Sequence, residues 1–192
     1  MANPFREKII DEKEKKEPGG SLKLMKLQLL SDLENVEIKK LEADDVDEVY
    51  LLMRKTLWES TKEQVTDVIK SGMSYGAYVE RMLAGAGLAW SARYEEGKGI
   101  VAGENNAIYM EDVALLLAYE GKGIRKMLIE EREKQAKLAG FAYAVAYISP
   151  DWPQGDLAGL IKERGNKIER EYLAAGYKFE RTKDGIVALK GL

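Results

Sequence analysis

The sequence predicts an α/β protein built on a mixed sheet with helices on both faces. Three observations carry that expectation. From Val36 onward the hydrophobic periodicities run in the order β-α-α-β-β-β-α-β-α-β-β, and strands that both alternate with helices and meander imply a mixed sheet. Ala107 to Leu117, in its second half, and Phe141 to Ile148, throughout, are continuously apolar, as central strands covered on both faces are. Between those two lies a glycine-bearing turn leading into a helix, which places a β-loop-α-β unit at the centre of the chain.

The elements follow in order. Residues 1–35 stand apart as a charged arm plus an amphipathic segment, and residues 36–192 form the folded domain. Phe5 to Glu17 is nearly all charge and ends at Pro18-Gly19-Gly20, which reads as a solvated arm. Leu22 to Leu33 fits a strand by one spacing and a helix by another, and must bury its leucines against the domain or a second copy, so a homodimer is one expectation. Val36 to Leu41 alternates as a half-buried strand. Asp44 or Asp45 caps a helix with Val46, Val49, Tyr50, Met53 and Leu57 on one face. Thr61 caps a second helix that stops near Gly72. Tyr75 to Glu80 and Leu83 to Tyr94 form an antiparallel pair, with Trp90 and Tyr94 as core or sheet-face residues. Turn clusters at 95–99 and 103–106 precede the strand Ala107 to Leu117. A helix runs from Ile124 to about Leu138 and ends at Gly140. After the strand Phe141 to Ile148, a loop at 149–156 leads to one helix over Leu157 to Ala175. A hairpin turning on Asp184-Gly185 closes the chain.

Composition excludes much chemistry. The 192 residues include no cysteine and no histidine, so disulfides, thiolate nucleophiles, Cys/His zinc sites and Ser-His-Asp triads are all ruled out. Thirty Lys and Arg against 33 Asp and Glu leave a net charge of −3, a poor balance for wrapping nucleic acid. No apolar run approaches the roughly 20 residues of a membrane span, and no signal peptide is evident. The expectation is a cytoplasmic protein with neither a nucleic-acid nor a membrane partner and no bound metal. Scarce Asn and Gln beside abundant Lys/Glu runs hint at a thermophile.

The informative segment is Val113 to Leu128, VALLLAYEGKGIRKML. The first amides of a helix lack partners and carry the positive end of its dipole, while glycines allow an anion close to the backbone. Lys122, Arg125 and Lys126 add charge there, so an anion site is inferred. It is no Walker loop, since Gly123 follows Lys122 where Ser or Thr is needed, nor a dinucleotide fingerprint, since Lys126 stands at the third glycine.

Glu120-Gly121-Lys122-Gly123-Ile124-Arg125 resembles the acyl-CoA signature Gln/Arg-x-x-Gly-x-Gly/Ala of the GCN5-related N-acetyltransferases. Gly123 matches. Glu120 stands where Gln or Arg is usual and Arg125 where a small residue is usual. Tyr172-Leu173-Ala174-Ala175-Gly176-Tyr177 resembles the family's Tyr-x-x-x-Gly-Phe at the last helix-to-strand junction, and the order of elements over Val36 to Lys190 is the family's order.

The resemblance implies the acyl-CoA N-acyltransferase fold, its mixed sheet splayed between the fourth and fifth strands, here Ala107 to Leu117 and Phe141 to Ile148. It implies acetyl-CoA as cosubstrate, the pantetheine arm pairing with the edge of Val113 to Leu117, Leu115 included. The diphosphate would lie on the amides of Gly121, Lys122, Gly123, Ile124 and Arg125, with Lys126 beside them. It implies direct attack of a primary amine on the thioester, with an amide near Val113 for the oxyanion and Tyr172 as the acid that protonates the thiolate. Glu111 and Asp112 lie where the family commonly places a glutamate base. They face opposite sides of the sheet, so at most one enters the cleft, and Glu111 is preferred. Trp58 and Trp152 are candidates for contact with the amine-bearing acceptor, a small molecule or a protein amine. The alternative is a non-catalytic acyl-CoA-binding sensor or scaffold.

Overall fold

Residues 36–149 and 152–192 are described by a computed structural model. The expectations for residues 1–35, including the Leu22 to Leu33 segment, lie outside the described residues. Among the described residues there are five α-helices and eight strands, in the order β1 (Val36–Lys40), α1 (Val46–Lys55), α2 (Lys62–Lys70), β2 (Tyr75–Val79), β3 (Met82–Glu95), β4 (Gly99–Val101), β5 (Ala107–Leu115), α3 (Ile124–Leu138), β6 (Tyr143–Ser149), α4 (Leu157–Arg164), α5 (Lys167–Ala174), β7 (Lys178–Thr182) and β8 (Gly185–Gly191). The sheet order is β1-β2-β3-β5-β6-β8-β7, with the short β4 paired to the far end of β3. Every neighbouring pair is antiparallel except β5 and β6, the two strands joined through α3.

Each face has its own core. Val49, Leu52 and Met53 of α1 and Val65 and Ile69 of α2 pack on Leu83, Ala86, Leu88 and Ala114. Ile124 and Leu128 of α3 pack on Tyr75, Ala77, Ala84, Val113 and Leu115 on the opposite face. Tyr172 of α5 joins Ile129 of α3 over Ile108, Met110, Ala144 and Ala146. The expected mixed sheet with helices on both faces is present.

The structure departs from the sequence expectations in three places. The helix expected over Leu157 to Ala175 is two helices. A Cβ at Gly165 would stand 2.4 Å from the Ile161 carbonyl oxygen, and Asn166 starts α5 afresh by accepting from the Glu169 N–H while Glu169 accepts from the Asn166 N–H. β5 stops at Leu115 and a 3-10 turn, Leu117–Tyr119, leaves Leu117 exposed. β6 is buried only in its first half, and Tyr147 is exposed because the parallel pairing to β5 has ended by then.

Candidate active site

Pairing between β5 and β6 covers only Ala107–Tyr109 against Tyr143–Val145, although β5 runs on to Leu115 and β6 to Ser149. The two strands therefore diverge into a wedge. On its other side β5 slips register against β3, with Val113 opposite Gly87 but Met110 opposite Ala89. Such a bulge bends the strand and re-aims its side chains. Glu111 and Asp112 sit on the bulge.

A buried arginine that the sequence reading passed over holds that bulge. Arg132 of α3 is fully buried, and its Nη1 donates to the carbonyls of Leu88 (2.9 Å) and Glu111 (2.8 Å) while Nε donates to Leu128 (3.1 Å). A Cβ at Gly87 would lie 2.8 Å from its Nε, so that glycine makes room for the guanidinium. Among the described residues Arg132 forms no salt bridge. The only sequence signal was a charge on the apolar face of α3, two turns beyond Arg125.

At the mouth of the wedge, Gly123 caps α3 at φ 79° and Gly121 takes φ 77°, a left-handed backbone that glycine adopts without steric cost. A cavity of about 290 Å³ opens here, lined by Leu115, Glu120, Gly121, Gly123, Ile124, Arg125, Lys126 and, across it, Glu171 and Ala174 of α5. The Lys122 ammonium lies 5.1 Å from the Tyr119 ring, and the exposed Lys126 pairs with Glu130 at 3.6 Å.

The expectation that Arg125 offers its charge to an anion at the loop is corrected. Its guanidinium is buried and turned inward, 2.5 Å from Asp112 Oδ1, 3.1 Å from Glu120 Oε1 and 2.9 Å from Glu171 Oε2. Nη1 also donates to the Val113 carbonyl at 2.9 Å. Glu120 accepts a second ion pair from Lys167 of α5. Burial raises the carboxyls of Asp112 and Glu171 above their usual range, against the pull of Arg125. Burial also opposes ionisation of Glu120, but the hydrogen bond from Lys167 and the Arg125 charge outweigh it and hold that carboxyl below its usual range. The Val113 N–H, expected to await an oxyanion, donates instead to Asp112 Oδ1 at 2.7 Å.

Tyr172 is buried on α5, edge-on to Tyr177 at 4.9 Å between ring centroids. Burial pushes its phenol up to about 12, partly offset by the positive charge of Arg132. Glu111 lies on the opposite face of the bulge, in a second cavity of about 330 Å³ lined also by Met53, Trp58, Glu59, Val65, Leu88 and Trp90. Burial raises the Glu111 carboxyl, and Arg132 draws it back in part. Trp90 stacks on Tyr109 at 4.6 Å.

Trp58 reaches this cavity through the end of α1. Leu57 adopts φ 64°, the Trp58 N–H bonds the Met53 carbonyl at 3.0 Å, and the Leu57 N–H bonds that of Arg54 at 3.4 Å. That is the hydrogen-bond pattern of a left-handed helix stop. The structure thus brings Trp58, Trp90 and Glu111 to one cavity, and Gly121, Gly123, Ile124, Arg125 and Lys126 to the other, while the Lys122 N–H donates to the Tyr119 carbonyl at 3.3 Å. Trp152 lines neither, its indole N–H donating to Glu169 at 2.8 Å.

Solved structures share this architecture. An acetyltransferase of the GNAT family from Listeria monocytogenes superposes with a TM-score of 0.60 at 16% identity, over 82% of this chain and 95% of that one. The chain has the GCN5-related N-acetyltransferase fold. The PaiA N-acetyltransferase of Thermoplasma acidophilum, solved in complex with coenzyme A, aligns with a TM-score of 0.57 at 18% identity, over 82% of this GNAT-fold chain and 99% of its own. Arabidopsis thaliana Naa50, solved with the bisubstrate analogue CoA-Ac-MVNAL, aligns at 0.55 and 15% identity, over 82% and 99%. No family model and no curated protein matches the sequence. Among the described residues no acidic cluster is arranged to hold a metal ion, and no helix is long and apolar enough to cross a membrane.

Proposed function

We propose that the protein is an acyl-CoA-dependent N-acyltransferase that transfers acetyl from acetyl-CoA to a primary amine. The observation that carries this reading is the wedge between β5 and β6, entered from the glycine turn of α3 on one face and bordered by the Glu111 cavity on the other. A diphosphate fits the free amides of the first turn of α3, and a pantetheine arm fits the β5 edge from Val113 to Leu115 as an added strand does. The cavity with Glu111, Trp58 and Trp90 suits the acceptor. Its carboxylates, Glu111 and Glu59, attract an ammonium, and two indoles favour a cation carried on an apolar body.

In this reading Glu111 takes a proton from the ammonium. Its elevated pKa brings it closer to the working pH of a general base. The amine nitrogen then attacks the thioester carbonyl, the carbon–sulfur bond breaks, the thiolate takes the Tyr172 proton, and the proton shed by the attacking nitrogen restores the phenol. A phenol held near 12 is a weaker acid than the thiol it forms, so the transfer goes forward only as the nitrogen's proton replaces the one given up. With neither cysteine nor histidine in the chain, no acyl-cysteine intermediate is available.

The crowded carboxylates around Arg125 favour a second reading, a sensor that binds acyl-CoA without turnover. Free thiol released from acetyl-CoA across a panel of amines separates the two. Amine-dependent release establishes the transferase, binding without release establishes the sensor, and absence of binding removes both.

A further inference from the structure

The wedge-side edge of β5 is already occupied at Val113. The Leu116 N–H bonds the Ala84 carbonyl of β3 at 2.9 Å. By the two-residue alternation of an antiparallel ladder, Val113 and Leu115 therefore turn their N–H and C=O groups away from β3, into the wedge. At Val113 both groups are taken: the N–H by Asp112 Oδ1 and the C=O by Arg125 Nη1. An arginine in the first turn of a helix ordinarily extends into water. This one is held inward from three directions, by Asp112 on β5, Glu120 on the turn and Glu171 on α5, and its side chain is only 9% exposed.

We infer that Arg125 is a built-in competitor for the acyl-CoA site: its side chain holds the Val113 edge that the pantetheine arm must pair with, so acyl-CoA binds only to molecules in which Arg125 has swung out. This inference rests on the acyl-CoA reading and sets the affinity of that same site. Three features support it independently of the strand edge. The cluster sets three carboxylates, Asp112, Glu120 and Glu171, around Arg125, so in the closed state its charge is spent on them and is not offered to a diphosphate. Glu120 and Arg125 are the two positions at which the chain departs from the acyl-CoA signature, and they are bonded to each other. Arg125 also borders the cavity at the first turn of α3, so once displaced from the wedge it is a cation beside the diphosphate. Displacement thus frees the Val113 carbonyl and a positive charge together. The apparent affinity is reduced by the fraction of molecules that are open.

The test is titration of coenzyme A into the wild-type chain and into the double variant Glu120→Gln/Arg125→Ala, which removes the competitor and one carboxylate. The double variant is expected to bind at least tenfold more tightly. In stopped-flow mixing, the wild-type rate should plateau with coenzyme A concentration at the rate of opening, whereas the double variant should remain linear. Asp112→Asn keeps the guanidinium but weakens its anchor and is expected to give an intermediate gain, so the proposal stays testable if the double variant fails to fold. Equal or weaker binding by the folded variants while the wild type binds overturns the competitor role alone. Binding by none of the folded proteins overturns both this role and the acyl-CoA reading.

Discussion

Glu120 and Arg125 form an ion pair, Oε1 to Nη2 at 3.1 Å, across the glycine turn that opens α3. Lys167 on α5 holds the other oxygen of Glu120, so one carboxylate ties the turn to two helices. The net effect of these partners is a carboxyl below its usual range in the folded chain. A depressed carboxyl contributes stability that is present above its unfolded pKa of about 4.3 and is lost as pH falls through the folded value. Glu120→Gln should therefore lower stability by about 1 kcal/mol near pH 7, a figure discounted for the partial exposure of Glu120 and Lys167. In urea unfolding at decreasing pH the difference should shrink below about pH 4. A deficit that stays constant with pH would show that the charge is not the cause.

Tyr172 makes the proposed reaction testable at a single oxygen. Its ring is part of the core, packed edge-on to Tyr177 and over β5 and β6. Tyr172→Phe preserves that packing and removes only the proton donor. The expected result is a fall in kcat of roughly 100-fold, within the usual range for a general acid, with coenzyme A affinity changed less than twofold. An equal loss in affinity would make the tyrosine a binding residue instead.

Much of this arrangement was legible in the sequence because it is written in local pattern. The alternation of Val36 to Leu41, the apolar runs of β5 and β6 and the Gly121-Lys122-Gly123 turn each specify their conformation within a few residues. The break at Gly165-Asn166 was missed because the apolar spacing of α4 and α5 continues across it, while the capping pair Asn166 and Glu169 carries the stop. Side-chain destinations were less legible. Arg125 and Arg132 are both basic residues on one helix, and only the tertiary partners send one to three carboxylates and the other to three carbonyls. Trp90 joined Trp58 in one cavity through the packing of α1 on β3, a contact that no short-range pattern encodes.

Glu111 carries opposite signatures in stability and in rate. Burial raises its carboxyl, so the folded chain disfavours the charged form, and the cost is felt fully above the folded pKa and vanishes below the unfolded one. Glu111→Gln should therefore raise the melting temperature at pH 8 and leave it unchanged near pH 4, while abolishing most amine acetylation at pH 8, where the wild-type carboxyl is ionised. Arg132 works against the burial of Glu111 through its positive charge. Replacing it with Met should move the acidic limb of the kcat/KM profile to higher pH, and an unmoved limb would mean that another group, or water, is the base.

The left-handed Leu57 is a strained device that aims Trp58. A non-glycine residue at φ 64° costs about 1 kcal/mol, and Leu57 is almost wholly exposed, so its side chain returns little burial for that strain. Leu57→Gly keeps the Trp58 N–H bond to Met53 and should raise stability by about 0.5–1 kcal/mol, offset in part by the greater freedom of glycine in the unfolded chain. Because the turn survives, the acceptor KM should not change. Trp58→Ala removes the indole but not the turn, and should raise the KM for an apolar amine several-fold while leaving coenzyme A affinity intact, since the Gly121–Arg125 cavity has no wall in common with it. The two variants separate the strain that positions the indole from the contact the indole makes. If both raised KM equally, the turn rather than the ring would be what the acceptor senses.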